Sequence, residues 1–261
     1  MVDAVSRVGV FYLARGADAD AFAKMRTFRD SYLRWRAGAV HKLYVIYKGY
    51  ESAAALEPAR DLFREIPNQA IYAEDDGFDI GAYFVAASRV DDENVCFLNT
   101  SSELKGQDWL LKLVTNLGQA GVGIVSCTGS YEAPQHPGRV NIPFPNPHLR
   151  SNAFMIRRDH LLAIRPDVPF STKLDAHLFE HGTNSLTRLT LALGLKALVV
   201  GRNGRGYEPV WWPLSQTFRQ GEQANLLVAD NQTMAFETAP IADKRVLFRL
   251  AWGNGTLGRL T

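Results

Sequence analysis

Three stretches of the 261-residue chain gather side chains able to do chemistry, and each follows an apolar run. In Glu74-Asp-Asp-Gly-Phe-Asp-Ile-Gly-Ala-Tyr83, Gly77 and Gly81 let backbone approach a ligand closely. Asp76 lies beside them, and Asp79 is placed to accept hydrogen bonds from a ribose or a base. The same residues suit an acidic turn in which Asp76 or Asp79 caps the next helix. In Leu98-Asn-Thr-Ser-Ser-Glu103, the amide of Asn99 and the hydroxyls of Thr100 and Ser101 can bond sugar or phosphate oxygens. Glu103 could help hold a divalent cation there, and a helix-capping loop fits equally. In Phe179-Glu-His-Gly-Thr-Asn-Ser-Leu-Thr-Arg188, Glu180 and His181 are candidates for a general base. Arg188 could pair with a phosphate or orient Glu180; alternatively the stretch opens a helix capped by Thr183 or Asn184.

A fourth stretch, Gly201-Arg-Asn-Gly-Arg-Gly206, offers Arg202 and Arg205 to a diphosphate, although a glycine-rich hairpin turn has the same composition. Phosphate-loop, nucleophile-elbow and Gly-x-Gly-x-x-Gly patterns are missing, which argues against a P-loop ATPase, a serine hydrolase and a standard dinucleotide oxidoreductase. His136 and His148 stand among prolines without zinc-ligand spacing and read as loop or surface residues. Trp211 and Trp212, followed by Phe218 and Arg219, could stack on a sugar or base but read first as packing.

Positioning these groups requires strands that end where they begin. Apolar strands are expected at 7–13, 43–47, 70–72, 95–98 and 122–125, and amphipathic helices at 18–35, 53–66 and 109–120, with a further segment at 80–90. Short strands apolar on both faces and separated by helices predict a parallel sheet covered on both sides, whose ligands collect at the carboxyl ends of the strands. Five prolines between 133 and 147 predict a loop or edge. Beyond it come a short strand at 153–156, a helix within 174–193, a strand at 197–200 and a terminal helix at 244–252.

Composition fits one folded α/β domain: 46% of residues are hydrophobic and 21% charged. A net charge of +2 gives no field of the kind that attracts nucleic acid, which is therefore not an expected partner. Cys96 and Cys127 sit in apolar runs and read as buried thiols. No apolar stretch reaches bilayer length and the first seven residues lack signal-peptide character, so the expectation is a cytoplasmic protein. The mixed apolar and basic segment 245–252 suits core packing or peripheral contact with the inner face of a membrane.

Taken together, the stretches resemble the GT-A-type nucleotide-sugar glycosyltransferases, in particular the bacterial surface-polysaccharide and rhamnan-synthesis-like group. Gly77-Phe-Asp-Ile-Gly-Ala-Tyr83 is similar to the turn after the third strand, Phe97-Leu-Asn-Thr-Ser101 to the DxD-type strand end, and Glu180 with Ser185-Leu-Thr-Arg188 and Ala192-Leu-Gly194 to the later acidic element, over most of residues 7–204. The resemblance implies a Rossmann-like, mainly parallel sheet flanked by helices in a single domain, with a nucleotide-binding half at 1–132 and an acceptor-side half at 133–261. It implies transfer of a sugar from a nucleotide-diphosphate donor to a glycan or lipid-linked acceptor, with inversion by in-line attack. Asp79 would contact the nucleotide, Asn99–Ser101 the sugar diphosphate, and Glu180 would deprotonate the acceptor. The family's Mn or Mg would need carboxylates where this chain has Asn99 and Ser101, so a metal depends on Glu103 or Asp75, and Arg202 or Arg205 could stabilise the leaving diphosphate instead. The alternative from another class is a non-catalytic nucleotide- or sugar-binding module on a degenerate version of the same fold.

Overall fold

The computed structural model describes residues 7–254, so the signal-peptide reading of residues 1–6 lies outside the described residues. The first half alternates as expected: β1 (Val8–Arg15), α1 (Ala21–Arg34), β2 (Lys42–Lys48), α2 (Ala53–Phe63), β3 (Gln69–Tyr72), α3 (Phe78–Ser88), β4 (Asn94–Leu98), a short β5 (Glu103–Leu104), α4 (Trp109–Leu117) and β6 (Val122–Ser126). The second half contains β7 (Gly129–Ser130), β8 (His148–Leu149), β9 (Ala153–Arg157), α5 (Arg158–Ala163), α6 (Lys173–His181), α7 (Leu186–Ala192), β10 (Lys196–Val200) and β11 (Gly206–Tyr207). A 3-10 helix over Pro209–Leu214, β12 (Val228–Ala229), α8 (Asn231–Thr238) and α9 (Ile241–Trp252) complete it.

The central sheet has eight strands in the order β11-β10-β6-β9-β4-β1-β2-β3. It is mainly parallel, with two exceptions. β11 turns back on β10 as a hairpin at one edge, which makes 201–205 the turn its glycines suggested. β9 runs antiparallel between β4 and β6 in the middle of the sheet. The reason is where the chain enters. After β6 it stays at the carboxyl edge, where β7 pairs with β8, and the proline-rich 133–147 segment forms no strand or helix. A strand starting at that edge can only run back through the sheet, since a parallel strand would need a crossover first. Its residues Ala153, Phe154, Met155 and Ile156 are all buried, as a central position requires.

One face of the sheet packs Tyr12, Phe28, Phe63, Trp109 and Leu113 together, and the other packs Phe11, Tyr83, Phe97, Phe154 and Trp212. Each such side chain contributes about 1.5–3 kcal/mol through apolar burial. Trp212 is core, donating Nε1–H to the Tyr207 carbonyl at 2.8 Å, whereas Trp211 is half exposed. Cys96 and Cys127 are buried free thiols. α9 buries Phe248, Ala251 and Trp252, so the 245–252 segment packs on the core. Among the described residues no helix is long and apolar enough to cross a membrane.

The helix expected within 174–193 is two helices. Thr172 and Asp175 form a reciprocal capping box that starts α6, and Ser185 accepts from the Arg188 amide to start α7, replacing Thr183 or Asn184 as the cap. A second N-cap ends the first helix because its backbone is not helical. On the central strand β6, a Cβ at Gly123 would lie 2.7 Å from Thr190 Cγ2 and 2.8 Å from Leu195 Cβ. Gly123→Ala is therefore expected to destabilise the fold by about 1–3 kcal/mol through overpacking, measured by urea unfolding; an unchanged midpoint would show that α7 yields freely.

Candidate active site

The carboxyl end of β4 and the start of β9 meet because the register pairs Leu98 with Ala153. Asn99 then lies beside Asn152, donating its backbone N–H to the Asn152 carbonyl at 2.9 Å, while Ser102 Oγ donates to Asn99 Oδ1 at 3.1 Å. The first turn of α3 brings in Asp79 and the last turns of α6 bring in Glu180. A cavity of about 310 Å³ results, lined among others by Asp79, Asn99, Arg150, Asn152, Lys173 and Glu180. Asp79, Asn99 and Glu180, distant in sequence, thus share one space.

The turn that presents Asp79 is held by two residues whose role the sequence did not disclose. Gly77 takes φ +62°, open to glycine at little cost, and serves as the α3 N-cap, so neither Asp76 nor Asp79 caps that helix. The buried Lys48, last in β2, donates Nζ–H to the carbonyls of Asp76 and Phe78, each at 2.8 Å. Burial pushes its ammonium pKa down, opposed by Asp75 and Asp79. Arg15, last in β1, grips Asp75 with two hydrogen bonds of 2.9 Å.

With its neighbours committed to the turn, Asp79 makes no hydrogen bond or ion pair among the described residues. Burial pushes its carboxyl pKa up to about 6; Asp18 and Glu180 add to the rise, and Lys48 and Arg15 oppose it. The folded state therefore holds this proton to higher pH than the unfolded chain. The associated stability is full below about pH 4 and is lost as pH rises through about 6. Asp79→Asn should remove that slope and make the protein about 1–2 kcal/mol more stable than the parent at pH 8, allowing for partial solvent screening. Urea unfolding of both proteins at pH 4.5 and 8 measures it; parallel curves would refute the assignment.

Glu180 is driven the other way. Its Oε2 accepts the Ser151 backbone N–H at 2.7 Å and the Ser151 hydroxyl as well. Burial by itself would raise its pKa, but Arg150, His148 and the two Ser151 donors outweigh it and hold the carboxyl below its ordinary value. Two carboxylates of one cavity thereby acquire different proton affinities, an arrangement suited to divided roles. Arg150 is 6% exposed; its Nη2 pairs with Asp230 at 2.8 Å and its guanidinium lies over the Phe218 ring at 4.3 Å. Arg150 Nη1 and Asn152 Nδ2 are buried without a hydrogen-bond partner among the described residues.

The remaining candidates lie elsewhere. Asp76 and Gly77 line a neighbouring cavity of about 660 Å³ between α3 and the 162–170 segment. Thr100 and Ser101 are buried, and the Thr100 carbonyl accepts from Tyr12 Oη at 2.9 Å. His181 stacks on His136 at 5.4 Å and neighbours His148 and His177. Burial, then the charge of His148, pushes its imidazole pKa down to about 4, so it is neutral at pH 7; it is not among the residues lining the cavity. His148, expected in a loop or at the surface, is buried in β8. Arg188 bonds Asn146 Oδ1 at 3.3 Å and does not reach Glu180, because the break before α7 separates them. Arg202 and Arg205 stay on the β10–β11 hairpin, Arg205 over the Tyr207 ring at 5.1 Å. The cations at the cavity are instead Arg150 and Lys173. Both escaped a reading confined to the carboxyl ends of strands: β9 is antiparallel, so the polar run Arg150-Ser151-Asn152 before its apolar core sits at the same edge, and Lys173 comes from the first turn of α6.

A divalent metal does not fit these donors. Asn99 and Ser101 are neutral, Glu103 is paired with Lys105 at 2.8 Å, and Asp75 is gripped by Arg15 and Lys48. Neither Glu103 nor Asp75 lines the cavity, so neither supplies the carboxylate on which a metal there would depend. Among the described residues no group of three or more His, Cys, Asp or Glu is placed to hold an ion.

No protein-family model and no curated protein matches the chain by sequence. Solved structures do match its fold. The mannosyltransferase PcManGT from Pyrobaculum calidifontis, in complex with GDP-Man and Mn2+, aligns over 81% of this chain at 14% identity with a TM-score of 0.53; the chain spans 60% of that protein's length. The 4-diphosphocytidyl-2C-methyl-D-erythritol synthase of Anaerococcus prevotii aligns over 67% of this chain and 83% of its own, at 11% identity and TM-score 0.46. Mouse xyloside xylosyltransferase 1 aligns over 74% and 84% respectively, at 12% identity and TM-score 0.44. The first of these shows that the chain has a GT-A-like fold, as its motifs suggested.

Proposed function

We propose that the protein is a glycosyltransferase moving a sugar from a nucleotide-diphosphate donor to a hydroxyl of a glycan or lipid-linked acceptor. The observation that supports this most is the convergence of Asp79, Asn99 and Glu180 on one cavity at the carboxyl edge of a GT-A-like sheet. Such an edge is where open α/β sheets take up ligands. Asp79, with no partner of its own, accepts hydrogen bonds from the nucleotide. The Asn99 amide faces the donor sugar and diphosphate. Glu180 accepts the acceptor's hydroxyl proton as the new bond from that oxygen to the anomeric carbon forms. The bond to the diphosphate oxygen breaks with its electron pair leaving on the nucleoside diphosphate. A direct displacement of this kind inverts the anomeric centre.

Glu180 is ionised throughout the neutral range, because Arg150, His148 and Ser151 hold its pKa down. That keeps it ready to accept a proton and limits its basicity. It therefore acts late, when bond formation has made the hydroxyl more acidic. Surface-polysaccharide synthesis is the setting the motif resemblance favours, which makes the acceptor a growing glycan.

The test is a panel of nucleotide sugars with oligosaccharide and lipid-linked acceptors, scored by nucleoside diphosphate release and by the anomeric configuration of the product. Turnover of at least one donor with inversion is expected. Binding of nucleoside diphosphates without turnover of any donor would favour the binding-module alternative, which the neutral residues at Asn99 and Ser101 also suit.

A further inference from the structure

We propose that Arg150, Asn152 and Lys173 form a phosphate-binding wall that takes up the diphosphate of the ligand without a divalent cation. This rests on the reading of the cavity as the donor site. Arg150 and Asn152 are only 6% and 5% exposed, yet Arg150 Nη1 and Asn152 Nδ2 lack partners among the described residues. A buried donor left unpaired costs about 1–3 kcal/mol, and both residues line the cavity, so acceptor oxygens from a ligand that reached these two donors would relieve that cost. Phosphoryl oxygens would do so with charge as well as geometry, and a guanidinium is well matched to them.

The second half of Arg150 is already fixed. Nη2 is committed to Asp230, whose other carboxylate oxygen accepts the Thr233 amide at 2.8 Å in the α8 capping box, and Phe218 supports the guanidinium face. Asn152 is fixed likewise, its Oδ1 accepting from Thr128 Oγ1 at 2.8 Å, which leaves the amide N–H groups as the available end. Lys173, the first residue of α6, is exposed, lines the same cavity and forms no ion pair among the described residues. Three carboxylates line the same cavity, and of these Asp79, which has no partner among the described residues, is the one assigned to the nucleoside and not to the diphosphate. Asp230 is saturated by Arg150 and Thr233, and Glu180 is bound by Ser151. Fixed donors and two cations can thus stabilise the charge that develops on a departing diphosphate, the role a metal has in sites built on carboxylates.

Calorimetric titration with inorganic pyrophosphate and with UDP, GDP, CDP and dTDP, in EDTA and then in Mn2+, tests this. Binding of pyrophosphate and of at least one nucleotide in EDTA is expected, with less than a threefold gain from the metal. Asn152→Asp, which swaps a donor for a negative acceptor, should weaken both by tenfold or more. Lys173→Gln, at an exposed position that the fold does not need, should weaken them by threefold to tenfold. Binding that appears only with Mn2+, binding in EDTA unaffected by both variants, or no binding under any condition would each overturn the proposal. Metal-dependent binding accompanied by sugar transfer would leave the glycosyltransferase reading standing; pyrophosphate binding in EDTA with no donor turned over would do the reverse.

Discussion

Glu180→Gln should lower kcat by about 10²–10⁴-fold while leaving the affinity for the nucleoside diphosphate within a few-fold of the parent. The substitution is nearly isosteric, and its amide oxygen can still accept from Ser151 N–H and Oγ, so the cavity wall survives. What disappears is the proton acceptor that the proposed transfer requires. The effect should fall on kcat because the lost interaction grows only as the acceptor oxygen attacks. Asp79→Asn is the internal comparison. As a nucleotide ligand Asp79 should alter KM for the donor more than kcat, since the amide retains one acceptor and loses the charge. If Asp79→Asn instead abolished kcat while Glu180→Gln kept it, the role of base would pass to Asp79, whose pKa of about 6 also suits that task.

Arg150→Met should destabilise the fold by about 3–5 kcal/mol, because it leaves the buried Asp230 carboxylate without its cation. The thioether can fill part of the space against Phe218, so lost packing is the smaller share. Asp230→Asn keeps the capping acceptor for Thr233 and removes only the charge. The double variant should therefore be more stable than the sum of the two single losses predicts, by about 1–3 kcal/mol of coupling. Urea unfolding of the four proteins completes the cycle. A loss below 1 kcal/mol for Arg150→Met, or additive single losses, would mean that water reaches Asp230 and that the pair is not the anchor of the phosphate wall.

Much of the site's character follows from residue types in order. Apolar runs of four to seven residues ending in polar groups locate β1, β2, β4 and β6, because a strand buried on both faces tolerates little else. The Gly77–Asp79 turn and the polar end of β4 could be singled out for the same reason: chemistry sits where burial stops. Glu180 could be named as a candidate, and so could the shortage of carboxylates at Asn99 and Ser101.

Tertiary structure decided the rest. That 153–156 lies in the middle of the sheet, antiparallel, depends on which edge the chain occupies after 133–147, and local pattern carries no record of that. Consequently Arg150 and Asn152 became cavity residues, while Arg202 and Arg205, equally basic and flanked by glycines, remained on an edge hairpin. Proton affinities were equally out of reach: burial raises the pKa of both carboxylates, but Arg150, His148 and Ser151 outweigh it at Glu180, whereas Asp18 adds to it at Asp79. Sequence order determines which groups can bury and which must end a strand; desolvation and pairing depend on neighbours far along the chain, and only the folded arrangement supplies them.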